Sequence, residues 1–120
     1  MKINIIPKTN LKQLALNYNQ KRRIDRHTLN EIISYVLSGL EIKPGDRILD
    51  IGCGSGRILL PLAFKNPASK FIGLDVSNEM LAPLNEQISK TKNKNIDVIK
   101  HDANDKLPFT DNEFDSILMY

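Results

Sequence analysis

Apolar positions recur at helical spacing in one long stretch of the chain and gather into short β-branched runs elsewhere. Leu29, Ile32, Ile33, Val36, Leu37 and Leu40 fall on one face of a helix. Thr28-Leu29-Asn30-Glu31 fits a capping box at its start, while Gly39 and the Pro44-Gly45 pair mark its end. A shorter pattern on Leu11, Leu14 and Ala15 predicts a helix within residues 8–18. Arg47 to Ile51 reads as a strand buried on both faces, as parallel strands are. A helix from about Ser55 to Lys65 should follow, with Pro61 beyond its first turn and so a kink or early stop there. Phe71 to Asp75 is a second strand. Ser77 then caps a helix to about Lys90, with Glu79 favoured in its first turn and Pro83 inside it. Ile96 to Lys100 is a third strand and Phe114 to Tyr120 a fourth, separated by a loop carrying Leu107-Pro108-Phe109.

Strands alternating with helices predict an α/β fold, a doubly wound parallel sheet with right-handed crossovers. The 120 residues suit one such domain, and 41 % hydrophobic with 26 % charged residues is ordinary globular usage, which sets disorder aside. No apolar run approaches the roughly 20 residues that cross a bilayer, and the apolar part of Met1 to Pro7 is too short for a secretory leader. Cys53 is alone, so no internal disulfide forms. These features together predict a cytoplasmic protein.

Charge is uneven. Lys2, Lys8, Lys12, Lys21, Arg22, Arg23 and Arg26 are opposed early in the chain by Asp25 alone, whereas acids gather towards the end. Residues 1–27 are therefore read as a basic, helical N-terminal arm and residues 28–120 as the folded domain. A solvated helix face is favoured over a contact with nucleic-acid phosphates, because no aromatic is interleaved with the charges.

The candidate chemistry lies at strand ends. Asp50-Ile51-Gly52-Cys53-Gly54-Ser55-Gly56 joins the first strand to a helix through a glycine turn that lets backbone approach a nucleotide-like ligand. Its G-x-G-x-G spacing puts Arg57 where the dinucleotide fingerprint G-x-G-x-x-G has its third glycine. Asp50, Asp75 and Asp102 fall at or beside three successive strand ends, where an open α/β sheet binds its ligands. Asp75 follows the turn by about 20 residues, the interval expected of an acid that accepts from both ribose hydroxyls. Cys53 is read as a small packing residue and His101 as a solvent-facing one at the strand's edge. His27 and His101, the only histidines, offer no metal motif.

The Asp50–Gly56 motif, Gly73-Leu74-Asp75-Val76-Ser77, His101-Asp102-Ala103 with Leu107-Pro108-Phe109, and Phe114-Asp115-Ser116-Ile117 occur in an order and spacing that resemble the first half of a class I S-adenosylmethionine-dependent methyltransferase of the small-molecule type. The likeness spans about residues 18–120. It implies a truncated Rossmann-like fold with the predicted strands in the order third, second, first, fourth. It also implies S-adenosylmethionine as cofactor and methyl transfer by in-line displacement to an acceptor that these residues do not name. By resemblance, the backbone of Gly52, Cys53, Gly54 and Gly56 lines the methionine part, which Asp50 orients. Asp75 holds the ribose, with Val76 beside it. Asp102 accepts from the adenine amino group with the Ala103 amide on the ring, and Tyr18 closes over the cofactor. No catalytic residue is singled out.

The likeness lacks the strands that would shape an acceptor pocket, which suggests a fragment or a truncated protein. Without them the apolar fourth strand becomes a sheet edge, through which self-association is expected. A non-catalytic module binding S-adenosylmethionine or S-adenosylhomocysteine, and more remotely an NAD-binding module, are the alternatives.

Overall fold

The computed structural model describes residues 2–5, 26–92 and 94–119. The expected helix within residues 8–18, the basic run at 21–25 and Tyr18 lie outside the described residues. Strand β1 (Lys2–Ile5) is followed by helix α1 (Arg26–Leu40), strand β2 (Arg47–Ile51), helix α2 (Leu59–Lys65) and strand β3 (Lys70–Asp75). Helix α3 (Asn78–Lys90) and strands β4 (Ile96–Lys100) and β5 (Ser116–Met119) complete the series. The strands form one five-stranded sheet in the order β1-β5-β2-β3-β4, with every pairing parallel. The order expected for the four predicted strands is therefore present, with β1 added beside β5.

That addition corrects an expectation. β5 is hydrogen-bonded on one side to β2, Leu49 opposite Ile117, and on the other to β1, Ile3 opposite Ile117. It is an interior strand, so the premise for self-association through an exposed fourth strand is removed.

Alternation sorts the strand residues between two faces. On one, Ile48, Phe71, Ile96 and Leu118 pack with Ile32, Ile33, Val36 and Leu40 of α1, Leu59, Leu62 and Ala63 of α2, and Leu81 and Leu84 of α3. On the other, Leu49, Ile72 and Leu74 are covered by Leu107, Phe109 and Phe114 from the segment between β4 and β5. Phe109 meets Phe114 edge to face at 4.8 Å, and the Arg47 guanidinium lies 5.7 Å from the Phe114 ring centre. The Arg47 amide donates to Asp115 Oδ2 while the Asp115 amide donates to the Arg47 carbonyl, which latches the entry of β5 to that of β2.

Helix boundaries differ from the pattern where local bonding decides them. α1 begins at Arg26, so Thr28 stands within the helix rather than at its cap. Its exit is made by Glu41 in the left-handed region (φ 48), with the Glu41 amide donating to the Leu37 carbonyl; Gly39 stays helical. α2 begins at Leu59 instead of Ser55, because residues 52–58 are spent on the glycine turn. Pro61 thereby falls in the first turn, where a missing donor costs the helix least, and the helix runs on to Lys65. α3 starts as expected: the Ser77 hydroxyl accepts from the Met80 amide at 3.3 Å.

The edge of the sheet away from the glycine turn is stapled by one side chain. Asn95 Nδ2 donates to the carbonyls of Ala63, Asn66 and Ser69 at 3.0, 3.1 and 3.0 Å, joining the start of β4 to the exit of α2.

Candidate functional site

The carboxyl ends of β2, β3 and β4 meet through backbone bonds. The amides of Gly52 and Cys53 both donate to the Leu74 carbonyl, at 2.8 and 2.9 Å, so the glycine turn folds back over the end of β3. Gly52, Gly54 and Gly56 all have positive φ (79, 57 and 80°), a region that costs a side-chain-bearing residue energy. At Gly56 space adds a second constraint, since a Cβ there would lie 2.5 Å from Leu84 Cδ1 of α3. Gly73 is required for closeness alone: a Cβ would stand 2.8 Å from both Cys53 Sγ and Leu59 Cδ2.

Asp75 is the junction of the site. Its Oδ2 accepts from the Gly54 amide at 2.8 Å and its Oδ1 from the Ser77 amide at 2.9 Å. Its own carbonyl accepts from the His101 amide at 3.0 Å, which ties in the end of β4. The carboxylate is thus held by two N–H donors, and each oxygen keeps a further lone pair for a hydroxyl donor.

Asp50 is the opposite case. Ile48 and Asp50 share the helix-covered face, Asp50 lies opposite Gly73 and Leu118, and it is 1 % exposed. Neither carboxyl oxygen has a hydrogen-bond partner. Burial, and then the Asp75 carboxylate, push its acid form up to about 7. Buried polar groups are nearly always satisfied, so an orphaned carboxyl beneath a glycine turn is suited to a ligand that brings a donor.

Cys53 is buried, and burial together with Asp50 and Asp75 pushes its thiol up to about 12. It stays neutral and packs against Gly73, in agreement with the packing role read for it. Asp102 is exposed, and its Oδ1 accepts from the Asn104 amide at 2.9 Å in a local turn. Ala103, beside it, is exposed. Asp102 joins the other two acids through its chain neighbour His101 rather than by direct contact. The His101 ring is half-buried, with Nε2 2.9 Å from the Lys106 carbonyl; a carbonyl only accepts, so Nε2 carries the hydrogen and closes the 101–106 loop. That corrects its reading as a solvent-facing histidine. Val76, after the end of β3, is 59 % exposed.

Sequence reasoning passed over Met80 and Met119, both large, apolar and exposed. Met80 lies in the first turn of α3, and Met119 ends β5 opposite Ile51. The only signal for them was position, in the first turn after Ser77 and at the last residue of a strand. Among the described residues no group of three or more His, Cys, Asp or Glu side chains is placed to hold a metal, and no helix is long and apolar enough to cross a membrane.

Comparison with known proteins agrees with this geometry. Residues 48–120 match the family model described as a methyltransferase domain. The demethylmenaquinone methyltransferase of Staphylococcus carnosus (strain TM300) is 39 % identical over 100 residues, covering 74 % of this chain and 40 % of that protein. Among solved structures, a SAM-dependent methyltransferase from Aquifex aeolicus superposes with a TM-score of 0.61 at 29 % identity, over 81 % of this chain and 57 % of that one. The [4+2]-cyclase SpnF superposes with a TM-score of 0.71 at 28 % identity, over 80 % and 35 %. The chain spans less than half the length of curated relatives that it matches. It belongs to the family of S-adenosylmethionine-dependent methyltransferase domains.

Proposed function

We propose that this chain is the cofactor-binding part of a cytoplasmic methyltransferase, and that the carboxyl ends of β2, β3 and β4 form its S-adenosylmethionine site. The observation that carries the reading is the pair Asp50 and Asp75: one carboxyl buried without a donor, the other held by the amides of Gly54 and Ser77 with acceptor capacity to spare. Asp75 accepts from the two ribose hydroxyls. Asp50 faces the ammonium of the methionine part, which runs along the backbone of Gly52 to Gly56. Asp102 and the Ala103 amide take the adenine edge, with Val76 against the ring. Tyr18 is assigned the closing position above the cofactor.

When bound, the cofactor supplies a sulfonium-activated methyl group. The contribution of these residues is positional, since holding the donor in one orientation is the larger part of a bimolecular displacement that needs no covalent help. The acceptor is left open: the chain matches proteins named as demethylmenaquinone methyltransferase and as probable ribosomal RNA small subunit methyltransferase alike. The carboxylate of Asp75 sets a phosphorylated dinucleotide aside by repulsion.

Calorimetry with S-adenosylmethionine, S-adenosylhomocysteine and NAD tests the assignment. Both sulfur compounds should bind, NAD should bind far more weakly, and Asp75→Ala should weaken both sulfur compounds at least roughly tenfold, as expected for loss of charge-assisted hydrogen bonds. Binding of NAD with neither sulfur compound, or indifference to Asp75→Ala, refutes it.

A further inference from the structure

We infer that Asp50 stands as the neutral acid in the ligand-free chain and ionises when the ammonium group of the cofactor arrives, so that filling the site releases a proton. The inference rests on the cofactor assignment above and adds to it a charge state and a linkage.

The geometry is that of a buried carboxyl whose oxygens meet no hydrogen-bond donor. Asp50 is 1 % exposed, and both oxygens lack a donor. On the strand neighbours, Gly73 offers no side chain and Leu118 an apolar one. Leu59, over Gly73, is apolar as well. The titratable groups on the surrounding elements are Asp75 at the end of β3, and Cys53 and Arg57 in the turn. Asp75 carries the same charge as an ionised Asp50 and raises its acid form further. Cys53 is neutral. Four of the turn amides, which elsewhere would satisfy a carboxylate, are committed: Gly52 and Cys53 to the Leu74 carbonyl, Gly54 to Asp75, and Gly56 to the Cys53 carbonyl.

An isolated buried charge in such surroundings shifts towards its neutral form. A ligand that brings an ammonium supplies the missing counter-charge and donors together, and the acid form then loses its advantage. The step balances simply: the Asp50 O–H bond breaks, its proton passes to buffer, and the carboxylate that remains pairs with the ammonium. A neutral or anionic ligand, by contrast, leaves Asp50 as the acid and releases no proton.

Calorimetric titration of the chain with S-adenosylhomocysteine, in two buffers of different ionisation enthalpy, counts the protons released. The range from about pH 6 to 7 keeps an α-ammonium charged. Most of a proton per site should appear near pH 6 and less as pH rises through 7 and beyond, and Asp50→Asn should abolish the buffer dependence. Binding with no buffer dependence overturns the inference while leaving the cofactor assignment standing. Absence of any binding overturns the assignment, and the inference with it. Should Asp50→Asn fail to fold, the carboxyl carbon-13 shift of Asp50 in the ligand-free chain decides the charge state: a midpoint near neutrality supports it, and one near the ordinary carboxylate value overturns it.

Discussion

Asp50→Asn should flatten the dependence of the ligand-free chain's stability on pH. The Asp50 carboxyl is raised from 3.8 to about 7, chiefly by burial and then by Asp75. The unfolded chain ionises it near the lower value. Between the two the native state therefore holds a proton that the unfolded state has lost, and stability falls as pH rises through that window and levels off above it. The distance between the two values corresponds to ~4 kcal/mol in all, of which about a third falls between pH 6 and 8. Urea unfolding followed by circular dichroism at several pH values measures this directly. The wild-type chain should lose stability across that interval, while Asp50→Asn, close in shape and unable to ionise, should lose far less. Comparing slopes removes the separate cost of an amide whose own hydrogen bonds go unmet. Parallel curves for the two chains would show that Asp50 is ionised in the native state and refute the reasoning.

Two other substitutions probe the frame of the site. Gly56→Ala meets both a φ of 80° and Leu84 Cδ1 at 2.5 Å, which together should cost roughly 2–5 kcal/mol. Gly54→Ala meets strain without a clash, at φ 57° with no atom within 4 Å, and should cost about 1–2 kcal/mol; equal urea midpoints for the two would contradict this packing. Asn95→Ala removes the donor shared by the Ala63, Asn66 and Ser69 carbonyls and should cost roughly 2–3 kcal/mol in thermal unfolding, whereas an unchanged melting temperature would mean that water replaces the staple without loss.

Much of this arrangement was legible in the sequence, because parallel strands announce themselves. Ile48, Leu49 and Ile51 form a short run with an acid inside it, and Phe71 to Asp75 and Ile96 to Lys100 repeat the form, so the strand ends and their acids could be located. The glycine spacing added the turn. What escaped was whatever depends on a partner distant in sequence. β1 is four residues long, and its pairing requires residues 116–119, more than a hundred positions on. The start of α2 depends on how residues 52–58 bond within the turn, which apolar periodicity does not report. The residues of the site were legible as positions but not as states. The pattern gave no sign that the Asp75 carboxylate would bind two amides, that Asp50 would have none, or that the His101 ring would close its own loop.

Mapping the backbone amide signals of the nitrogen-15-labelled chain during titration with S-adenosylmethionine tests the central claim most directly. The signals of Gly52 to Gly56, of Asp75 to Ser77, and of Asp102 and Ala103 should shift together with one saturation curve, as three strand ends closing on one ligand require. Shifts confined to other parts of the sheet, or a spectrum unchanged at saturating ligand, would contradict it.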